Sequence, residues 1–111
     1  MAAIDCGLAV HPNAVEAQLE GGTIDGLSTA LGLEITVRDG QVQQSNFDDY
    51  PLARLSMVPA QFETHILPWD DVPTGVGEMG LPSAAPALTN AIFAATGRRI
   101  RNLPIGDQLK G

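Results

Sequence analysis

The run Gly75-Val76-Gly77-Glu78-Met79-Gly80-Leu81-Pro82 sets one carboxylate among three glycines, just ahead of a helix start. A carboxylate is a suitable general base if it stays ionised close to the proton it takes. Gly75, Gly77 and Gly80 carry no side chain and let the backbone approach a bulky group. The N-terminus of the following helix favours negative charge at Glu78, and burial beside a ligand opposes it. On residue chemistry alone, an exposed loop carboxylate is the plainer alternative.

A second set of residues precedes it. Gln18 offers an amide that both donates and accepts, which suits a polar ligand but also suits a solvated helix face. Gly21-Gly22, with Gly26 one turn later, stand inside a helical pattern, where each glycine costs about 1 kcal/mol against alanine. Their clustering points to close approach of another backbone or a ligand, or to a broken turn. The lone Cys6 reads as a small buried residue rather than a nucleophile. His11 and His65 fit no metal-ligand spacing. Asp70-Asp71 reads as a solvated acidic loop. Arg98, Arg99 and Arg101 follow a helix C-terminus, where cations complement the dipole; contact with a phosphate is the alternative.

Several elements must position these groups. Residues 2–6 read as a short strand. Asn13 and Glu16 have capping-box spacing, so a helix is expected over residues 14–31, with Val15, Leu19, Leu27 and Leu31 near one face and Gly32 ending it. Residues 33–38 and 41–44 alternate around Asp39-Gly40, a two-residue hairpin signal. Residues 62–67 form a further strand with Phe62, Thr64 and Ile66 on one face. Residues 68–82 are rich in Pro, Gly and Asp and read as ordered loop. A second helix spans residues 84–96, with Leu88, Ala91, Ile92 and Ala95 as its stripe and Gly97 as its stop. Strands and two helices with a hairpin indicate an α+β fold.

The chain of 111 residues is one domain or part of one. Its net charge of −7 argues against nucleic acid and against a polybasic membrane site. One cysteine excludes an internal disulfide. No segment reaches the roughly 20 apolar residues of a membrane span, no secretory leader is recognisable, and a cytoplasmic location is expected, with a periplasmic complex as the alternative. The abrupt start within a strand suggests a piece of something larger.

Three stretches together resemble the molybdenum hydroxylase large subunits of the xanthine dehydrogenase/aldehyde oxidase family. The first runs from Asp5-Cys6-Gly7 through His11-Pro12-Asn13 to Gln18-Leu19-Glu20-Gly21-Gly22; it is similar to that family's strand, "NP" turn and "Q-x-E-G" helix start, with His11 where Asn is more usual. The second, Gln44-Ser45-Asn46-Phe47-Asp48-Asp49-Tyr50-Pro51-Leu52, is similar to isoquinoline 1-oxidoreductase beta-type subunits. The third, the "G-x-G-E-x-G-x-P" run at 75–82, resembles the family's catalytic glutamate loop.

The resemblance implies the C-terminal molybdopterin-binding region of such a subunit. It implies hydroxylation of aldehydes or electron-poor N-heterocycles with water as oxygen source, and Glu78 as general base. Gln18 then lines the metal site, and Gly21, Gly22, Gly75, Val76 and Gly77 lie against a molybdenum–pterin cofactor. The implied partners are the remainder of the large subunit and an iron–sulfur subunit that receives the electrons. No protein metal ligand is implied. The isolated chain is expected to bind no cofactor, to lack activity, and to self-associate through exposed apolar surface. An autonomous, non-catalytic binding or scaffold domain derived from the same family is the competing expectation.

Overall fold

Strand β1 (Ala2–Ile4) opens the fold, and its neighbour is β4 (Thr64–Ile66), sixty residues later in the chain. The two pair in parallel, with Ala2 opposite Thr64, Ala3 opposite His65 and Ile4 opposite Ile66. Both strands are shorter than the sequence pattern predicts. On β4 the alternation is as expected: Thr64 and Ile66 are half-buried and His65 is exposed. The computed structural model describes residues 1–110, a mixed arrangement of helix and strand.

Helix α1 (Pro12–Gly32) connects the first strand to the rest of the molecule. It starts two residues earlier than predicted, because His11 takes the cap in place of Asn13. Its Nδ1 accepts the Ala14 N–H at 3.1 Å, satisfying one of the amides that a helix start leaves without a partner. Only the tautomer protonated at Nε2 can do this. Proline then occupies the first helical position, where its missing N–H is no loss. Val15 and Leu19 are buried from α1 against Ile4 and Cys6 of the β1 segment. The helix runs through Gly21, Gly22 and Gly26 without a break.

The hairpin forms as the Asp39-Gly40 turn demands, with φ of 51° and 77° at the two turn residues. Its strands are short, β2 (Val37–Arg38) and β3 (Gln41–Val42), and wholly exposed. No core face supports them, so the longer predicted alternation does not extend the pairing.

Helix α2 (Leu81–Thr96) begins three residues earlier than predicted, since Pro82 falls in its first turn. Gly97 ends it at φ 71°, its N–H returning to the Phe93 carbonyl at 2.8 Å. The tail after it folds back on α1, where the Ile105 N–H reaches the Ala30 carbonyl at 2.8 Å and Ile105 is 2% exposed. Of the basic cluster, Arg98 holds the tail and Arg99 holds the end of α2. Arg98 donates to the Gln108 and Leu109 carbonyls. Arg99 lies 3.5 Å from the Phe93 ring centre and donates to Asn90.

The two helices cross backbone to backbone. A Cβ added at Gly26 would lie 2.6 Å from the Leu81 carbonyl oxygen and 2.7 Å from Ala84 Cβ. One added at Gly80 would lie 2.5 Å from the Leu19 carbonyl oxygen. Gly22 and Gly26 of the glycine cluster thus mark close helix packing, one of the alternatives left open by its sequence pattern, whereas Gly21 faces open space.

The molecule leaves much apolar surface uncovered: Val10, Leu55, Val72, Phe47 and Trp69 are all more than half exposed. Its accessible surface is 7984 Å², against about 5,800 Å² for a compact monomer of this mass. The radius of gyration is 16.5 Å, against about 13 Å for a compact domain of this length.

Candidate functional site

The Glu78 loop is fixed at two points on either side of the carboxylate. Upstream, residues 67–74 run beside residues 4–8. Leu67 N–H donates to Ile4, Leu8 N–H to Asp71 and Thr74 N–H to Cys6, at 2.9, 2.9 and 3.0 Å. Gly7 permits this approach: its φ is 67°, and a Cβ there would lie 2.5 Å from the Val72 carbonyl oxygen. Val76 then packs, half-buried, on the Ile4, Cys6, Val15 and Leu19 cluster. Downstream, Gly80 sits on α1, within 2.5–2.9 Å (from an added Cβ) of Leu19 and Thr23 atoms. Thr23 is itself tied down, its hydroxyl donating to the Leu19 carbonyl at 2.8 Å. Between these anchors Glu78 is exposed, and its carbonyl accepts the Leu81 N–H at 3.2 Å.

Gln18 lies beside the upstream anchor. It lines, with Val76, Thr74, Cys6, His11 and Val15, an open cavity of about 260 Å³. Gly21, three residues on and therefore on the same helix face, has nothing within 4 Å of an added Cβ, and the same holds for Gly75 and Gly77. Gly22 differs, because its added Cβ would meet Gly80 Cα at 3.4 Å. The structure therefore brings Gln18 and Val76 together, leaves open space at Gly21, Gly75 and Gly77, and commits Gly22 to the helix crossing.

An exposed amide, three glycines facing open space and a carboxylate on an anchored loop fit a large polar group lying across α1 and the loop. The chain alone lines only one side of such a site. Among the described residues, no three His, Cys, Asp or Glu side chains gather as a metal-binding group.

The other candidates take structural places. Cys6 is 3% exposed within the core. His65 pairs at 3.8 Å with Glu63 on the surface. Asp71 accepts from the Trp69 indole N–H. The carboxyl held away from its ordinary value is Asp49. Amide donation from Asn46 and then Ser45 lowers it, with desolvation opposing. Sequence reasoning did not single out Gly7, Thr23 or Met79. Only Gly7 carried a signal, a glycine directly after a strand.

The comparisons with known proteins identify the family. Residues 1–59 match the family model described as "Molybdopterin cofactor-binding domain". The beta chain of isoquinoline 1-oxidoreductase from Brevundimonas diminuta is 44% identical over 107 residues, covering 96% of this chain, a span that includes the Glu78 loop. The large subunit of nicotine 6-hydroxylase from Paenarthrobacter nicotinovorans is 32% identical over 94 residues, 79% of this chain and 11% of that protein. Among solved structures, quinoline 2-oxidoreductase from Pseudomonas putida 86 superposes with a TM-score of 0.76 at 27% identity, covering 96% of this chain and 14% of that one. The chain spans about 14% of the length of the Brevundimonas relative. No helix of the described residues is long and apolar enough to cross a membrane. On its sequence and its fold alike, the chain belongs to the molybdopterin cofactor-binding domain family.

Proposed function

We propose that the chain completes the active site of a molybdenum-dependent hydroxylase, with Glu78 as its general base. The substrates are aldehydes or N-heterocycles, and water is the oxygen source. The observation that carries this reading is the double anchoring of the Glu78 loop, by Val76 on the core and Gly80 on α1, next to the Gln18 amide. A base must be held within reach of the proton it takes, and geometry comes before basicity.

The molybdenum–pterin group, when bound, supplies the oxidising centre. This chain's residues do the rest of the work assigned to them. Gln18 presents a donor and an acceptor to the polar side of that group. Gly21, Gly75 and Gly77 let it lie close to the backbone. The Glu78 carboxylate takes the proton from the oxygen nucleophile, and the α2 N-terminus two residues on favours its charge.

The partners are the rest of the large subunit and an iron–sulfur subunit, in a cytoplasmic complex. The excess exposed surface supports a chain that needs covering and disfavours an autonomous scaffold domain. Alone, the chain binds no cofactor and turns over no substrate.

The test is to co-express the chain with the rest of a large subunit and measure molybdenum and aldehyde or N-heterocycle turnover. Metal and activity should appear only with the complex. Glu78→Gln should lower kcat by a factor of about 100 or more with molybdenum content unchanged. Loss of the metal in that variant would give Glu78 a structural role instead.

A further inference from the structure

We propose that Gly26 is a positioning residue for Glu78: its missing side chain sets the spacing of α1 and α2, and through it the distance from the Glu78 carboxylate to the Gln18 amide. This rests on the functional reading above, in which Glu78 is the base. It adds a buried glycine about 12 Å along α1 from Gln18.

Glu78 is carried by α2. Its carbonyl accepts the Leu81 N–H at 3.2 Å, and Gly80 has helical dihedrals, φ −72° and ψ −29°. Residues 78–81 thus extend the first turn of α2 backwards. Upstream, Val76 rests on the core, but Gly77 between it and Glu78 meets nothing. A glycine there leaves that connection compliant.

The first turn of α2 lies along one stripe of α1. Gln18, Gly22 and Gly26 stand four residues apart, one above the other on the helix surface. A Cβ on Gly22 would meet Gly80 Cα at 3.4 Å, and one on Gly26 would meet the Leu81 carbonyl oxygen at 2.6 Å and Ala84 Cβ at 2.7 Å. Moving along α1 from Gly26 towards Gln18 is therefore moving from Ala84 through Gly80 towards Glu78. Gly26 is the tighter of the two glycines under this turn. A methyl added there drives α2 back by about 1 Å, since carbon pairs prefer roughly 3.5–4.0 Å.

That displacement reaches the base. Helix α1 runs unbroken for 21 residues and is the stiffer partner. In α2, Pro86 has no N–H to return to the Pro82 carbonyl, so the first turn is the part least tied to the rest of the helix. It retreats and takes Glu78 with it, while Gln18 stays in place. A misplacement of about 1 Å from a substitution remote from the chemistry costs about 100-fold in rate.

The test uses the complex of this chain with the beta chain of isoquinoline 1-oxidoreductase from Brevundimonas diminuta lacking its matched 107 residues, with isoquinoline as substrate. Gly26→Ala should lower kcat about 10- to 100-fold with molybdenum content unchanged. Gly32→Ala, whose Cβ meets nothing within 4 Å, should leave kcat as it was. The deciding readout is the double substitution: added to Glu78→Gln, Gly26→Ala should change kcat by less than about twofold, because both act on one group. Gly26→Ala combined with Ala84→Gly relieves one of the two contacts, keeps the push on Leu81, and should show the same pattern if Gly26→Ala alone does not fold. In the isolated chain, NMR should show an Overhauser contact between the Gly26 α-protons and the Ala84 methyl. Gly26→Ala should there shift the Glu78, Met79 and Leu81 amides and spare those of Leu8 and Thr74. A missing Overhauser contact, unmoved amides at 78–81, an unchanged kcat, loss of molybdenum, or an equal fall in kcat with and without Glu78→Gln each overturns the positioning role alone. A complex without turnover, or one in which Glu78→Gln works at the full rate, overturns the functional reading and the positioning role with it.

Discussion

Gly21 and Gly26 stand in the same helix and differ in what surrounds them, so replacing each by alanine isolates the helix crossing. Both substitutions gain about 1 kcal/mol of helix propensity. At Gly21 nothing lies within 4 Å of the new Cβ, so the gain should appear in full. At Gly26 the Cβ meets the Leu81 carbonyl oxygen at 2.6 Å and Ala84 Cβ at 2.7 Å. Carbon pairs prefer roughly 3.5–4.0 Å, so α2 must retreat by about 1 Å. Neither obstacle is the end of a flexible side chain. Overpacking of this kind costs about 1–3 kcal/mol, and retreat would also loosen the Gly22–Gly80 contact. The expected net effect is a loss of about 1–2 kcal/mol at Gly26, hence a gap of about 2–3 kcal/mol between the variants. With a urea slope of about 1.5 kcal/mol per molar, the unfolding midpoints should differ by about 1.5–2 M, with equal slopes. A Gly26→Ala midpoint at or above that of Gly21→Ala would refute backbone contact between the helices.

Further expectations concern the ends and turns. His11→Ala should destabilise α1 by about 1 kcal/mol, and His11→Asn should restore most of it, because Asn also supplies a capping acceptor; equal helix melting of the two variants would remove His11 from the cap. Asp49 has its carboxyl lowered from 3.8 by the Asn46 and Ser45 amides. Its contribution to the 45–49 turn is therefore complete above that ordinary value and lost as pH falls through the lower folded one. The Ser45 and Asn46 amide shifts in NMR should follow that midpoint, and a midpoint at or above 3.8 would contradict the turn. Gly40→Ala should cost the hairpin about 1 kcal/mol, since Gly40 has φ 77°; unchanged cross-strand contacts between Val37 and Val42 would argue otherwise. The isolated chain should self-associate through its exposed apolar surface, read as a sedimentation coefficient that rises with concentration, and a monomer at all concentrations would oppose this.

The parts of the fold that were legible in the sequence are those with local causes. Asp39-Gly40 forces its turn through two positive φ values, and Gly97 ends α2 through one, so neither needs tertiary context. Strand lengths were not legible, because alternation at residues 33–38 and 41–44 records a tolerance for pairing that an uncovered hairpin cannot use. The cap at His11 was missed because Asn13 and Glu16 offered a more familiar pattern, and Pro12 in the first turn was the stronger signal. At the candidate site, the glycines around Glu78 were legible as a loop, but those glycines have different tasks. Gly80 meets α1, whereas Gly75 and Gly77 face open space. Which glycine does which depends on where α1 lies, and that is long-range information.

The contact of Gly80 with the α1 main chain has a consequence for how such a protein can diversify. A loop positioned against side chains shifts whenever those side chains are exchanged. A loop positioned against carbonyl oxygens and amides has a datum that no outward-facing substitution on α1 can move. Residues around the loop are then free to vary across descendants, while the distance from the Glu78 loop to α1 is inherited unchanged. The restriction is equally sharp: the few positions that form the datum tolerate glycine alone, so variation is channelled away from them and into the surfaces around them.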